Sequence, residues 1–185
     1  MSNDEREVIR RAKEGDAAAF ATIYDRHYKD IYTYIYYRVG EVQAVEDLAS
    51  EVFLRLVERI DGYAYRGRPV LAWLYTIARN LVTDHQRKQA RANSLPLAEE
   101  LVAQGQSPPE WVDRRLTGDC LASSLRHLTE DQRRVILHKF VEGRSNLETA
   151  NLIGKTEGAV KSLQHRALAA LHRAVLKERC YEPEV

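Results

Sequence analysis

The side chains best suited to contacting DNA lie between Asn146 and Arg173. Ala150, Gly154, Val160 and Leu163 have the spacing of a helix-turn-helix: a small residue where two helices cross, a glycine in the turn and two aliphatic residues facing inward. The outer face of the second helix would carry side chains that hydrogen-bond base edges or phosphates, namely Glu157, Lys161, Ser162, Gln164, His165 and Arg166. The pattern favours DNA binding, although any short helix pair with a glycine turn can match it by chance.

A second set of residues with nucleic-acid chemistry lies between residues 61 and 92. The segment Tyr63-Ala-Tyr65-Arg66-Gly67-Arg68 is irregular, aromatic and basic, so its rings can stack on bases and its arginines can neutralise phosphates. Residues 61–92 hold six basic and two acidic side chains, residues 93–120 hold two and five, and residues 121–185 hold eleven and eight. Two basic blocks separated by an acidic one suggest two contacts with a polyanion, and ordinary solvated helix faces explain the charges equally well.

Composition excludes several other classes of protein. The chain has 185 residues, is 44% hydrophobic and carries a net charge of +1, which fits folded domains rather than a disordered chain. No apolar run approaches a membrane span, and the N-terminus shows no signal core, so we expect a cytoplasmic protein. Cys120 and Cys180 form no CxxC pair and predict neither a disulfide framework nor a zinc site. Because metal, phosphate-loop and hydrolase motifs are all missing, we expect no cofactor and no enzymatic activity.

The elements that position these residues are helices nearly throughout. We predict an all-α fold of two small helical domains, residues 1–91 and 110–185, joined by a flexible linker over 92–109, with the helix-turn-helix in the second domain. In the first domain we expect a helix over 17–39 between an Asp16 N-cap and Gly40, and an apolar stripe over 45–60 that includes Val57. A further helix begins at Pro69, and its Trp73 is expected in the core.

In the second domain we expect a helix near 111–128, followed by one that begins at a capping box formed by Thr129 and Gln132. The inner face of this helix is predicted to include Val135, Ile136, Leu137 and Phe140.

Three motifs in a fixed order resemble a known family. These are the segment Val45–Arg55 with the sequence VEDLASEVFLR, the segment Trp73–Asn80 with the sequence WLYTIARN followed by Asp84 and Arg87, and the terminal helix-turn-helix. Together they resemble a bacterial RNA polymerase sigma factor of the small, two-domain extracytoplasmic-function (ECF) group, over about residues 14–90 and 120–176. The resemblance implies a protein that binds core RNA polymerase and directs promoter-specific transcription initiation, without being an enzyme itself.

The resemblance also implies roles for individual residues. The third helix would bind the clamp helices of the largest polymerase subunit through Glu46, Asp47, Ser50, Glu51, Phe53 and Leu54, with Ser50 standing where the family usually has Gln. The loop 61–68 and the helix after it would read the promoter −10 element through Tyr63, Tyr65, Arg66, Arg68, Arg79, Asn80, Asp84, Arg87 and Lys88. The helix-turn-helix would read the −35 element. A contact of the second domain with the polymerase flap region and an anti-sigma factor complete the implied partners.

Two other classes of function remain open at this point. A stand-alone helix-turn-helix regulator would use the N-terminal helical domain for a ligand or another protein, and it would bind DNA without polymerase. A helical adaptor would have no DNA role, so charge reversal at Lys161 and Arg166 would leave its function intact.

Overall fold

The computed structural model describes residues 3–64, 67–92 and 118–177. Every regular element in these ranges is a helix, so the prediction of an all-α chain with two helical regions is confirmed. The chain divides between Pro108 and Pro109 into two compact units, called unit 1 and unit 2 below. Most of the predicted linker and the first part of the helix predicted over 111–128 lie outside the described residues.

Unit 1 contains four described helices: α1 (Asn3–Lys13), α2 (Ala17–Val39), α3 (Val42–Arg59) and α4 (Val70–Ala92), with a 3₁₀ turn at Ile60–Gly62. The predicted caps of α2 are confirmed, since Asp16 Oδ1 accepts a hydrogen bond from the backbone N–H of Ala18 at 2.9 Å, and Gly40 has a φ of 86°. Helices α2, α3 and α4 pack against one another, and α1 packs against α2.

Aromatic residues on α2 form a continuous row. Tyr24, Tyr28, Tyr32 and Tyr36 follow one another with ring centroids 4.9, 5.9 and 6.4 Å apart, and Phe53 of α3 lies 4.8 Å from Tyr24. This row is the helix-packing surface that a tyrosine-rich helix favours. The row ends at solvent, because Tyr24 is 42% exposed.

Unit 2 contains α5 (Gly118–Arg126), α6 (Glu130–Ile136), a π-helical turn at Leu137–Val141, α7 (Asn146–Ile153) and α8 (Glu157–Lys177). The capping box of Thr129 and Gln132 is present as predicted. Val135, Ile136 and Leu137 are buried, but Phe140 is 53% exposed, so its predicted inward position is wrong. The π-helical turn explains the difference, because its wider hydrogen-bonding pattern adds a residue and rotates Phe140 away from the core.

Two features of unit 2 are not predicted from the sequence: a buried polar cluster and a disulfide. The fully buried His138 contacts Glu142 (Nδ1 to Oε2, 2.9 Å), and Arg144 Nε donates to the same carboxylate oxygen at 2.7 Å. Burial pushes the pKa of Glu142 upward, but the hydrogen bonds and charges of His138 and Arg144 outweigh it and leave that pKa below its usual value. Cys120 is disulfide-bonded, which the two lone cysteines of the sequence did not predict; the other cysteine, Cys180, lies outside the described residues.

Within the part of the chain that the structure describes, no helix combines the length and the apolar character that a membrane crossing requires.

Candidate nucleic-acid interface

A pocket of about 440 Å³ opens where the loop after α3 meets the first turns of α4. We call it the base pocket. Tyr63 and Trp73 form one wall, with ring centroids 5.0 Å apart, and the Tyr63 hydroxyl donates to the Arg68 carbonyl oxygen at 3.2 Å. The lining consists of Arg59, Gly62, Tyr63, Ala64, Arg68, Pro69, Ala72, Trp73 and Thr76.

The base pocket brings together two predicted residues and corrects one prediction. Tyr63 and Arg68 both line it, while Tyr65 and Arg66 lie outside the described residues. Trp73 is half-buried and faces the pocket, so its predicted place in the core is wrong. An aromatic pair beside arginine side chains can stack on an unpaired base and hold its phosphate.

One face of α4 continues from the base pocket toward the end of the helix. Trp73, Thr76, Asn80, Asp84 and Arg87 recur at steps of three or four residues, so they share one stripe. The stripe leads to a second pocket, about 350 Å³, lined by Leu48, Arg55, Leu81, Asp84, His85, Arg87, Lys88 and Arg91. We call it the basic pocket, because four of these side chains are cationic and one is a carboxylate.

The predicted −10 residues therefore divide into groups. Asp84, Arg87 and Lys88 line the basic pocket, with a 3.9 Å ion pair between Arg87 and Asp84, and exposed Asn80 lies between the two pockets. Exposed Arg79 lies about 100° around the helix from Asn80 and lines neither pocket.

The acidic end of α3 is a separate exposed surface. Glu46, Asp47 and Ser50 are exposed, whereas Glu51 is half-buried and paired with Arg55 at 2.7 Å. Burial, and then the nearby carboxylate of Glu46, raise the pKa of Tyr32 to about 12, which places this acidic face beside the aromatic row of α2.

The other end of α3 carries two apolar side chains that are partly open to solvent. Leu54 is 53% exposed and Val57 is 50% exposed, so the inward position predicted for Val57 is wrong. Phe53 is only 7% exposed, because it packs against Tyr24 and Tyr28. Leu54 and Val57 can contact a partner, while Phe53 packs α3 against α2.

In unit 2 the predicted helix-turn-helix is formed by α7 and α8. Gly154 adopts the left-handed conformation (φ 70°) in the turn, and Thr156 Oγ1 accepts from the Ala159 N–H at 3.2 Å. Ala150 and Val160 are buried as predicted, whereas Leu163 is only half-buried. Thr149 is also fully buried, at a position where aliphatic side chains are usual in this motif.

The outer face of α8 presents the predicted residues unequally. Glu157, Lys161, Ser162, His165 and Arg166 are exposed, while Gln164 is half-buried. Lys161 pairs with Glu157 at 3.7 Å, a loose and solvated contact that a phosphate can replace. Behind the turn, Lys155 Nζ bonds Asp131 at 2.9 Å and ties the motif to α6.

Sequence reasoning missed several lining residues. Thr76 and Arg91 fall on the same three-and-four stripe of α4, so that spacing could have found them. Arg59 and Arg55 belong to α3, and only the packing of α3 against α4 brings them to the pockets.

Comparison with known proteins agrees with this arrangement. Residues 23–92 match the model of sigma-70 region 2, and residues 118–171 match that of sigma-70 region 4. BldN of Streptomyces coelicolor, an ECF RNA polymerase sigma factor, is 42% identical over 169 residues, which are 90% of this chain and 64% of BldN. SigL of Mycobacterium tuberculosis, another ECF sigma factor, is 31% identical over 167 residues, covering 90% of this chain and 94% of SigL.

A similar fold occurs in the structure of the sigma factor RpoE in complex with the anti-sigma factor NepR from Bartonella quintana. The TM-score is 0.60 at 26% sequence identity, and the match covers 85% of this chain and 96% of that one.

Two helical units, one with the base pocket and one with a helix-turn-helix, define a sigma-70-type transcription factor with regions 2 and 4. Within that class the chain belongs to the ECF group of RNA polymerase sigma factors. This family directs promoter-specific transcription initiation with RNA polymerase and is not enzymatic.

Proposed function

We propose that this chain binds core RNA polymerase through the exposed face of α3 and reads a promoter at two elements, the −10 element with unit 1 and the −35 element with α8. The observation that carries the proposal is the base pocket, which has Tyr63 and Trp73 as one wall and lies at the start of the polar stripe of α4. In functional terms residues 1–91 and 110–185 are the two DNA-reading parts and 92–109 the connection. The site of action is the cytoplasm, where bacterial polymerase works.

Polymerase binding rests on a face of mixed chemistry. Glu46 and Asp47 offer carboxylates to basic side chains, and Leu54 and Val57 supply apolar area two turns further along α3. A basic, amphipathic surface such as the clamp helices of the largest subunit complements this face. Ser50 lies between the two parts and contributes a short polar contact.

Reading of the −10 element uses the length of α4. A base displaced from the duplex stacks on the Tyr63–Trp73 wall, and Asn80 has the donor and acceptor needed to read a base edge. Arg87 and Lys88 then hold the backbone at the basic pocket. Because unstacking a base costs a few kcal/mol, DNA opening is driven by binding of the displaced base.

Reading of the −35 element uses the exposed face of α8. Lys161, Ser162 and His165 lie on the side of α8 opposite the buried Val160 and Ala167, so they reach into a major groove. Arg166 and Glu157 lie at the two edges of this face. Unit 2 also contacts the polymerase flap region, and the chain binds an anti-sigma factor, as RpoE forms a complex with the anti-sigma factor NepR.

Capture of core polymerase tests the proposal. Tagged wild-type protein is expected to retain bacterial core RNA polymerase stoichiometrically, and Asp47→Arg is expected to abolish retention. The matched control is Asp25→Arg, an equal charge change on an exposed position of α2. Binding of promoter DNA by the folded chain without polymerase would instead support a stand-alone regulator.

A further inference from the structure

The segment between α3 and α4 carries the base pocket, and α1 holds this segment at both ends. Lys13, the last residue of α1, donates from Nζ to the carbonyl oxygens of Tyr63 at 2.6 Å and Asp61 at 3.3 Å. Glu5, two turns earlier, accepts at Oε1 from the backbone N–H of Val70 at 2.9 Å. These contacts join residues that are 48 to 65 positions apart in the sequence.

The two contacts act on the parts of the segment that define the base pocket. Tyr63 carries the ring that packs against Trp73 at a tilt of 34°, so fixing the backbone of Tyr63 fixes the point from which that ring extends. Val70 is the first residue of α4, and its N–H is one of the donors that a helix start leaves without an intrahelical partner. The Glu5 carboxylate accepts a hydrogen bond from that donor, and its negative charge interacts favourably with the positive end of the helix dipole.

Helix α1 is itself held firmly enough to serve as a support. Val8, Ile9 and Ala12 are buried against the rest of unit 1, and Asp4 pairs with Arg26 of α2 at 2.7 Å. Moreover, α1 precedes residues 23–92, the range that matches the sigma-70 region 2 model. The support therefore comes from a part of this chain outside the matched region.

We infer that Lys13 and Glu5 are positioning residues for the base pocket, so that α1 sets how strongly this chain discriminates among bases at the −10 element. The inference rests on the proposed function. A charge-assisted hydrogen bond to two carbonyls restricts the backbone of Asp61 and Tyr63 to one arrangement, and an aromatic wall that is held in place selects bases better than one that moves. Polymerase binding and −35 reading use other surfaces, so they are independent of these two residues.

The test is transcription from a pool of DNA templates. Holoenzyme assembled from the full-length chain and bacterial core polymerase transcribes templates whose −10 and −35 segments are randomised, and the transcripts are sequenced. Lys13→Met keeps most of the aliphatic stem and removes the ammonium. We expect its base preference in the −10 segment to fall about fivefold to tenfold while its −35 preference stays at the wild-type level.

Three further variants complete the design. Lys13→Arg restores a cationic group that can donate to both carbonyls, and it is expected to regain most of the −10 preference. Glu5→Ala is expected to act in the same direction as Lys13→Met. Arg10→Met is the matched control, because Arg10 lies on the same helix and, among the described residues, forms its ion pairs with Glu7 and Glu14 rather than with the segment after α3.

Each outcome has a distinct meaning. If Lys13→Met keeps the wild-type −10 preference, or loses −10 and −35 preference equally, the positioning role is wrong and the proposed function stands. If the wild-type holoenzyme itself shows no −10 preference, the proposed reading of the −10 element fails, and the positioning role fails with it. Circular dichroism of each variant shows whether the chain remains folded.

Discussion

At the scale of single residues, the base pocket depends on aromatic side chains that are neither in the core nor fully exposed. Trp73 shows this best, because its neighbours Leu74 and Ile77 are buried while Trp73 itself is half-buried and faces the base pocket. Helical spacing alone could not distinguish the half-buried Trp73 from its buried neighbours. Spacing gives the angle of a side chain around the helix, but not the position of the loop that leaves Trp73 partly uncovered. The contact between the Tyr63 and Trp73 rings depends on where Lys13 holds the loop, and no local sequence signal predicts that position.

Replacement of Trp73 tests the stacking wall directly. Trp73→Ala is expected to reduce open-complex formation about fivefold or more, because stacking a base on an aromatic ring contributes about 1–3 kcal/mol. Trp73→Phe keeps a ring and should retain most of the activity. Permanganate reactivity of unpaired thymines, on a promoter that the wild-type holoenzyme opens, measures the effect. Equal opening by Trp73→Ala and wild type would show that the pocket holds no base.

The buried carboxylate of Glu142 leads to a prediction about pH. Its folded-state pKa lies below the usual value, so its stabilising contribution is complete above the ordinary Glu pKa and disappears as pH falls through the lowered one. Glu142→Gln is expected to lower the stability of unit 2 by about 1–3 kcal/mol at pH 7. In urea unfolding, the gap between variant and wild type should close as pH falls below about 4. A gap that stays constant below about pH 4 would contradict this role of the carboxylate.

At the scale of elements, much of the fold follows from the sequence. Asp16 and Gly40 bound α2, the Thr129 capping box starts α6, and Gly154 makes the turn before α8, because each is a local chemical signal. The errors concern apolar residues assigned inward. Val57 belongs to a helix covered by partners on one side only, and Phe140 follows a π-helical turn that no periodicity reveals.

Adjacent residues of α3 should therefore respond in opposite ways. Phe53→Ala is expected to cost about 3 kcal/mol of stability or more, because it empties buried space beside Tyr24 and Tyr28. Leu54→Ala should change stability by no more than about 0.5 kcal/mol, since the side chain is half exposed, yet it should weaken polymerase capture. Denaturant unfolding and co-purification with core polymerase separate the two effects. A large stability loss in Leu54→Ala would show that it belongs to the core.

At the scale of the whole molecule, a net charge of +1 conceals two basic surfaces in different units. The sequence predicted two contacts with a polyanion from the charge blocks. The structure places cationic side chains at the basic pocket of α4 and on the exposed face of α8, where we expect these contacts. Such a division makes promoter affinity depend on salt through two separate sets of phosphate contacts.

The salt dependence of promoter binding can count those contacts. Each neutralised phosphate contributes about 0.9 to the slope of log affinity against log salt, so Arg87→Gln/Lys88→Gln is expected to lower the slope by about two. Lys161→Gln/Arg166→Gln should lower it by a similar amount, and all four changes together by about four, because the pairs lie in different units and act independently. Holoenzyme titrations with a fluorescent promoter fragment give the slopes, with Arg10→Gln as the control. If the fourfold variant lost no more slope than one pair, only one unit would contact DNA in the complex.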